Sequence, residues 1–297
     1  MFSMEEFIIA VYCCVDDLLK EISQDHPVKR RGFAPQLTDS EVMTMEIVAE
    51  YQGVDADKAI WQYFHRHWLA LFPKLKVRCS FVRQAASLWQ YKALLQQRLA
   101  GQLGAFEDTV HLIDGIPMRL CGLTRASRCQ SFQGIATYGY CAAKDEKYYG
   151  FHGHLLVSGR GVITGFSLTP ANGSEREALW DTVPPIQGLL IGDKGYLGRF
   201  LQRELRLEGI DLQTALRINM KDDRDRQWVH LLQRVRRLIE TVIGQLTERF
   251  KIEKVRVRDL WHLTSRCNRK LLAHTVCFWL NRHRPDPLQF DDLVTED

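Results

Sequence analysis

The sequence predicts a mixed α/β layer fold preceded by an all-helical segment. Three observations carry this. Residues 1–104 place apolar side chains at helical spacing behind repeated helix-start signals. From Thr109 onward, short runs rich in β-branched and aromatic residues alternate with Gly-containing turns. After residue 170, helical and strand patterns take turns, as in sheets that combine antiparallel and parallel pairing.

The elements follow in order. Ser3 and Glu6 form a capping box ahead of Ile8, Val11, Tyr12, Val15, Leu18, Leu19 and Ile22. After a loop containing Lys29-Arg30-Arg31, Thr38 and Glu41 repeat the box, with Leu37 and Val42 placed as a hydrophobic staple, and the helix ends at Gly53. A third helix is expected over 59–71, stopped by Pro73, and a fourth over 80–103. Strands are expected over 110–120, 136–142, 149–157 and 162–168. Ser174 and Glu177 make a third capping box, opening a helix to Thr182. A strand over 189–193, a helix over 197–207 and a strand over 211–216 come next. Residues 219–227 read as a polar loop. Trp228, Leu231, Leu232, Val235, Leu238, Ile239, Val242 and Leu246 then keep one apolar stripe along a long helix. A last helix covers 261–282, and the polar tail after Pro285 reads as loose.

Composition narrows the class. The chain has 297 residues, 45% hydrophobic and 26% charged, as in an ordinary soluble globular protein. The net charge of +4 hides a local pattern. Residues 1–60 carry 5 bases and 12 acids. Residues 61–100 carry 7 bases, among them Lys74, Lys76, Arg78 and Arg83, and no acid, while 217–258 carry 12 bases and 6 acids. Such basic blocks suit a polyanion, or are simply solvated helix faces. The 8 cysteines include no C-x-x-C pair, which argues against a zinc knuckle or a disulfide framework and for reduced thiols in the cytoplasm. The apolar run from Phe7 to Val15 is too short to span a bilayer and follows Glu5 and Glu6 rather than positive charge. No membrane role is expected.

Two short apolar runs end in a carboxylate and then turn at or near glycine: Val110-His111-Leu112-Ile113-Asp114-Gly115 and Leu189-Leu190-Ile191-Gly192-Asp193-Lys194-Gly195. By strand alternation Asp114 shares a face with Leu112, Ile116 and Met118, and Asp193 with Leu189 and Ile191. Each alone reads equally as an Asx turn or cap. Together, on neighbouring strands, they would need a cation, and a strand-borne carboxylate pair is a divalent-metal arrangement suited to phosphoryl transfer. Glu240 is the third acidic candidate. It lies roughly 130° from the centre of the apolar stripe, where an ion pair with Arg236 or Arg237 is the plainer role. His152 and His154 share a strand face, as metal ligands can, but no third ligand at a recognisable spacing accompanies them. Trp61, Trp68 and Trp89 interleave with the acid-free basic block, where they either stack on bases or fill a core.

Six motifs in order carry a resemblance. They are Ile113-Asp114-Gly115-Ile116-Pro117; Tyr138-Gly139-Tyr140-Cys141-Ala142-Ala143-Lys144; Tyr148-Tyr149-Gly150-Phe151 through His154-Leu155-Leu156-Val157-Ser158; Leu168-Thr169-Pro170-Ala171; Gly192-Asp193-Lys194-Gly195-Tyr196; and Arg237-Leu238-Ile239-Glu240-Thr241-Val242. This set resembles the DDE transposases of bacterial insertion sequences, nearest the insertion sequence 982 group and related to the insertion sequence 4 and 5 groups. The helical N-terminus, with Leu37-Thr38-Asp39-Ser40-Glu41-Val42, resembles that group as well.

The resemblance implies a ribonuclease-H-like mixed sheet with flanking helices as catalytic domain over 105–258, a helical DNA-binding domain over 1–104, and a C-terminal helix and tail over 259–297. It implies a catalytic and metal-binding triad of Asp114, Asp193 and Glu240 holding two Mg²⁺ ions, with Mn²⁺ as a substitute. It implies DNA contacts from Arg236, Arg237 and Tyr196, to which the basic block of Lys74, Lys76, Arg78 and Arg83 is added as a grip on terminal DNA. The substrates would be double-stranded terminal inverted repeats and target DNA, handled by a homodimer in a synaptic complex at the bacterial nucleoid. One departure stands out: Gln233 occupies a position where relatives often have Tyr and Thr247 one where they have Lys, with Arg249 or Lys251 as substitutes for the Lys. The rival expectations are a DNA-binding relative without catalysis, and a small-molecule metallohydrolase built on His152 and His154.

Overall fold

Apolar patterning of the first hundred residues and of the last forty builds helices that bury their stripes against one another. The computed structural model describes residues 1–27, 34–141, 144–216 and 219–295; the triplet Lys29-Arg30-Arg31 and the pair Ala142-Ala143 lie outside the described residues. In chain order the helices of the first stretch are α1 (Met4–Asp25), α2 (Asp39–Tyr51), α3 (Asp57–His67), α4 (Arg78–Ser87) and α5 (Trp89–Gln102). Then come β1 (Val110–Gly122), α6 (Leu123–Ala126), β2 (Thr137–Cys141), β3 (Glu146–Ser158), β4 (Ile163–Pro170), α7 (Glu175–Thr182) and β5 (Gly188–Gly192). The chain continues through α8 (Arg199–Leu207), β6 (Ile210–Thr214), α9 (Arg226–Glu248) and α10 (Leu260–Asn281). It divides into two compact units: Met1–Leu99 with Leu246–Ile252 and Val257–Asp297, and Ala100–Gln245 with Glu253–Arg256.

The first unit is helical in its described secondary structure. Both expected capping boxes form. Ser3 Oγ accepts from Glu6 N at 3.2 Å while the Glu6 carboxylate accepts from Ser3 N at 2.8 Å, and Thr38 and Glu41 do the same at 3.1 and 2.6 Å. The single helix expected over 80–103 is two, broken at Leu88. At the break the Ala85 carbonyl accepts from Leu88 N at 3.4 Å and from the buried Lys92 Nζ at 2.8 Å. Helix α2 is buried almost along its whole length, Glu46 and Glu50 included. Glu46 and Glu50 meet Lys92, Arg269 and Lys270 at 2.7, 2.6 and 2.8 Å for the pairs Lys92–Glu46, Arg269–Glu50 and Lys270–Glu50. Part of the acid excess of the first sixty residues is therefore internal and matched by bases of α5 and α10. The segment after Pro285 is tied down rather than loose: Phe290 and Leu293 are buried, and Phe2 bridges to Val294.

The second unit is built on a six-stranded sheet in the order β2-β3-β1-β5-β6, with β4 also paired to β3. Pairing of β1 with β3, of β3 with β4 and of β2 with β3 is antiparallel; β1 with β5 and β5 with β6 are parallel. Strands β2 and β4 share one edge of β3, β2 along residues 146–150 and β4 along 151–157. One face of the sheet buries Ile113, Leu156, Leu190, Ile210 and Leu212 against Leu179 of α7 and Leu201 and Leu205 of α8. Helix α8 uses Leu201 and Leu205, one helical turn apart, to reach that core. Helix α9 buries Leu232, Ile239, Val242 and Leu246 of the stripe read from the sequence, while Trp228 and Leu231, which were expected to open it, are exposed. Ser174 caps α7 by backbone alone, with no side-chain hydrogen bond, so the third capping box does not form. Among the described residues no helix is long and apolar enough to cross a membrane.

Candidate active site

Register brings the two aspartates together. In the parallel pair of β1 with β5, Val110, His111 and Leu112 stand opposite Leu189, Leu190 and Ile191. Asp114 and Asp193 each lie two residues beyond the last of these partners, so the two lie level with one another, Asp193 just after the end of β5 and Asp114 within β1, which runs on to Gly122. Asp114 Oδ1 accepts from its own Gly115 N at 2.8 Å, and Asp193 Oδ1 accepts from Lys194 N at 2.6 Å as it opens a short 3-10 helix, Lys194–Tyr196. The cap role is thus real for Asp193 alone; Asp114 and Gly115 lie inside β1, paired with Leu155 and His154 of β3, so the turn expected there does not form.

What the two aspartates share is a cation. Arg236, reaching from α9, donates Nη2 to Asp114 Oδ2 at 3.0 Å and Nη1 to Asp193 Oδ1 at 3.3 Å. One guanidinium spans both carboxylates, and a planar fork of donors is suited to that. Burial pushes the Asp114 carboxyl above the usual carboxylate range, against the downward pull of Arg236 and with Asp193 adding to the rise. The space between the two aspartates is a place where positive charge is needed, and hard carboxylate oxygens suit Mg²⁺ or Mn²⁺. The donor set therefore fits a divalent cation.

A third acid, Glu175, was not singled out by sequence reasoning. It sits in the first turn of α7, where an acid is explained by the helix dipole alone, and the sequence signal there pointed to Glu177 as a cap partner. Its carboxylate lies against Gly195: a Cβ built on Gly195 would fall 1.5 Å from Glu175 Oε2 and 2.6 Å from its Cδ. Burial raises the Glu175 carboxyl above its ordinary range, and Asp193 and then Asp114 raise it further, so the three acids share one electrostatic neighbourhood. The available signal was the second glycine of Gly192-Asp193-Lys194-Gly195, which marks a close approach by another side chain.

The other expected residues are placed as follows. Glu240 is exposed on α9, one turn beyond Arg236 and on the same helix face, and makes no hydrogen bond or ion pair among the described residues. Arg237 and Gln233 are exposed as well. Lys74, Lys76, Arg78 and Arg83 are exposed, the last two on α4. Arg249 and Lys251 are engaged within the first unit, Arg249 over the Tyr51 ring and Lys251 donating to the Gly53 carbonyl at 2.6 Å.

Tyr196 corrects an expectation. Assigned to DNA by resemblance, it is 1% exposed and packs in the core with Ile113, Leu190 and Leu201. An aromatic ring there gains more from apolar burial than from a phosphate, and its hydroxyl finds His154 Nδ1 at 3.3 Å. His154 Nε2 meets Thr169 Oγ1 at 3.0 Å. With both ring nitrogens engaged, His154 is not placed to bind zinc beside His152, whose ring stacks on it at 4.8 Å and crowds against Gly115. Burial, with His152 adjacent, lowers the His154 imidazole to about 4. Among the described residues no group of three or more His, Cys, Asp or Glu gathers closely enough to hold a metal ion. All 8 cysteines are free.

A family model described as a transposase DDE domain matches residues 104–260. No curated protein matches the chain, and no solved structure does. The match spans more than half of the 297 residues and contains both aspartates, the guanidinium between them and Glu240; the chain belongs to the transposase DDE domain family.

Proposed function

We propose that this chain cleaves the terminal inverted repeats of a bacterial insertion sequence and joins the 3′ ends to target DNA, with Asp114, Asp193 and Glu240 as its catalytic and metal-holding acids. Membership of the family implies transposition by DNA cleavage and strand transfer, carried out by a metal-dependent enzyme. The reading extends to the insertion sequence 982 group, on the six ordered motifs. A ribonuclease-H-like catalytic fold is supported by the sheet order, in which an antiparallel meander continues into two parallel strands and the first acid leaves the central strand.

The observation that carries the proposal is the convergence of Asp114 and Asp193 on one guanidinium. When bound, two Mg²⁺ ions, or Mn²⁺ in their place, supply activation of the attacking oxygen and stabilisation of the leaving 3′ oxygen. Asp114 within β1 and Asp193 just after β5 would hold them, and Glu240 would approach from α9. Arg236, released from the two carboxylates, and Arg237 would meet the phosphates flanking the scissile bond. In-line displacement needs no protein nucleophile, so positioning and charge are what the chain contributes. Lys74, Lys76, Arg78 and Arg83 would grip the terminal DNA without reading its sequence. Work in a homodimeric synaptic complex, in the bacterial cytoplasm at the nucleoid, belongs to the same proposal.

The test is strand cleavage of duplex oligonucleotides carrying the repeats that flank this reading frame, with Mg²⁺. Asp193→Asn should lower the rate by about a thousandfold or more, since a lost ligand is worth several kcal/mol of charge stabilisation. Cleavage at the parent rate would overturn the assignment. A second reading, a DNA-binding relative without catalysis, is favoured by Gln233 and Thr247 at the departed positions and by Glu240 standing apart from the aspartates. Binding without cleavage in both Mg²⁺ and Mn²⁺ would establish it.

A further inference from the structure

We propose that Tyr138 and Tyr140, flanked by Arg125 and Arg128, form a platform for unpaired nucleotides beside the DNA bond that the chain cuts. The inference rests on the DNA-processing reading above and goes beyond it in naming a surface and the form of DNA it takes. Three features of the sheet unit support it.

The first is where the tyrosines stand. Residues directly opposite one another on paired strands share a face. Asp114 stands opposite Leu155 of β3, while Tyr138 and Tyr140 of β2 stand opposite Tyr149 and Lys147 of the same strand. Positions 147, 149 and 155 alternate by twos along β3, so both tyrosines, Lys147 and Asp114 lie on one face of the sheet. Tyr138 and Tyr140 are 53% and 57% exposed, on the strand that ends the sheet order. Tyr138 is backed by the buried Tyr149, with ring centroids 5.4 Å apart, and its outer side is open.

The second is charge. Residues 115–144 carry Arg119, Arg125, Arg128 and Lys144 and no acid. Arg125 and Arg128 are exposed, and neither guanidinium makes a hydrogen bond or ion pair among the described residues. Their segment is fixed to the tyrosine face. The Phe132 carbonyl accepts from the Tyr149 hydroxyl at 3.3 Å, and the Phe132 ring sits 5.2 Å from that of Phe151. The acids that border the surface are engaged: Glu146 pairs with Arg119, and Asp145 accepts from the Tyr140 hydroxyl at 2.6 Å.

The third is what an exposed ring on a sheet can bind. Aromatic side chains stack on base faces, and in a duplex those faces are already stacked on neighbouring pairs. An unpaired nucleotide offers a free base face to the tyrosines and a phosphate to the arginines. A neutral protein partner would cover the rings and leave both guanidinium groups unmet.

The experiment is fluorescence anisotropy with the full-length protein and no metal. It compares a labelled duplex ending in an unpaired overhang with the same duplex made blunt. The ratio of the two affinities cancels contacts made elsewhere to paired DNA. The parent should prefer the overhang. Tyr138→Ala and Tyr140→Ala should each lower that preference by about fivefold or more, the range for one lost base–aromatic stack. Tyr138→Phe keeps the ring and should keep the preference. Removing both Arg125 and Arg128 as alanines should reduce the slope of log affinity against log salt on the overhang by about 1.4. A parent without preference for the overhang, or a preference unchanged in both tyrosine variants, overturns the proposal. Cleavage by Asp193→Asn separates the two failures. If that variant is inactive while the tyrosine variants keep the preference, the platform alone is misassigned. If it cleaves as the parent does while the tyrosine variants lose the preference, the platform stands and the catalytic reading falls.

Discussion

Arg236 does at this site what a cation must do, holding two aspartates that would otherwise repel. The pairing of Asp114 with Asp193 was legible because strand alternation fixes which way each points and parallel register sets the two level. Glu240 was not, because on a helix an acid four residues from an arginine has a sufficient surface explanation. Glu175 was hidden by the same sufficiency at a helix N-terminus, and Tyr196 was misread because a tyrosine after Asp193-Lys194-Gly195 gives no sign of how deep its ring goes. The residues around Tyr196 make a pH prediction. An imidazole with an ordinary value near 6.5 is held at about 4 at His154. Between those values the unfolded chain binds a proton that the folded chain refuses, so stability falls as pH drops from about 6.5 and the loss is complete near 4. His154→Gln should lose about 2 kcal/mol less than the parent between pH 7 and 4.5 in urea unfolding. Parallel losses in the two proteins would show that another group carries the acid sensitivity.

At the scale of elements, the helix starts divide into boxes that close and one that does not. Thr38 and Glu41 bond reciprocally, whereas Ser174 makes no side-chain bond to the turn it opens. Thr38→Ala should therefore cost about 1 kcal/mol, and Ser174→Ala a few tenths at most, when thermal or urea unfolding is compared with the parent. Equal costs would mean that the caps act through something other than these bonds. The strand ends and the apolar stripe of α9 were legible from periodicity, which local sequence encodes directly. The break at Leu88 was not. No glycine or proline marks it, and its cause is remote: the buried Lys92 bonds both Ala85 O and Glu46, a residue of a different helix.

At the scale of the whole molecule, the charge pattern of the sequence acquires a different meaning. The acids of the N-terminal sixty residues look like a solvated face, yet Glu46, Glu50 and Asp57 serve Arg269, with Glu46 also taking Lys92 and Glu50 also taking Lys270. Partners more than two hundred residues away cannot be read from local composition. Such a network is costly to interrupt. Glu50→Ala leaves the buried Lys270 without its acid and takes one of three from Arg269, and should destabilise by about 3–5 kcal/mol in denaturant unfolding, while a loss under about 1 kcal/mol would indicate that water replaces the carboxylate. The bridge between Phe2 and Val294 has a consequence in time as well. The helical unit starts the chain but also needs α10 and the segment around Val294, whereas the sheet unit has nearly all of its residues between Ala100 and Gln245. During synthesis, the part that begins first is the part that finishes last. Its early helices must wait, with Glu46 and Glu50 still lacking the bases of α10, until α10 and the segment around Val294 have been made.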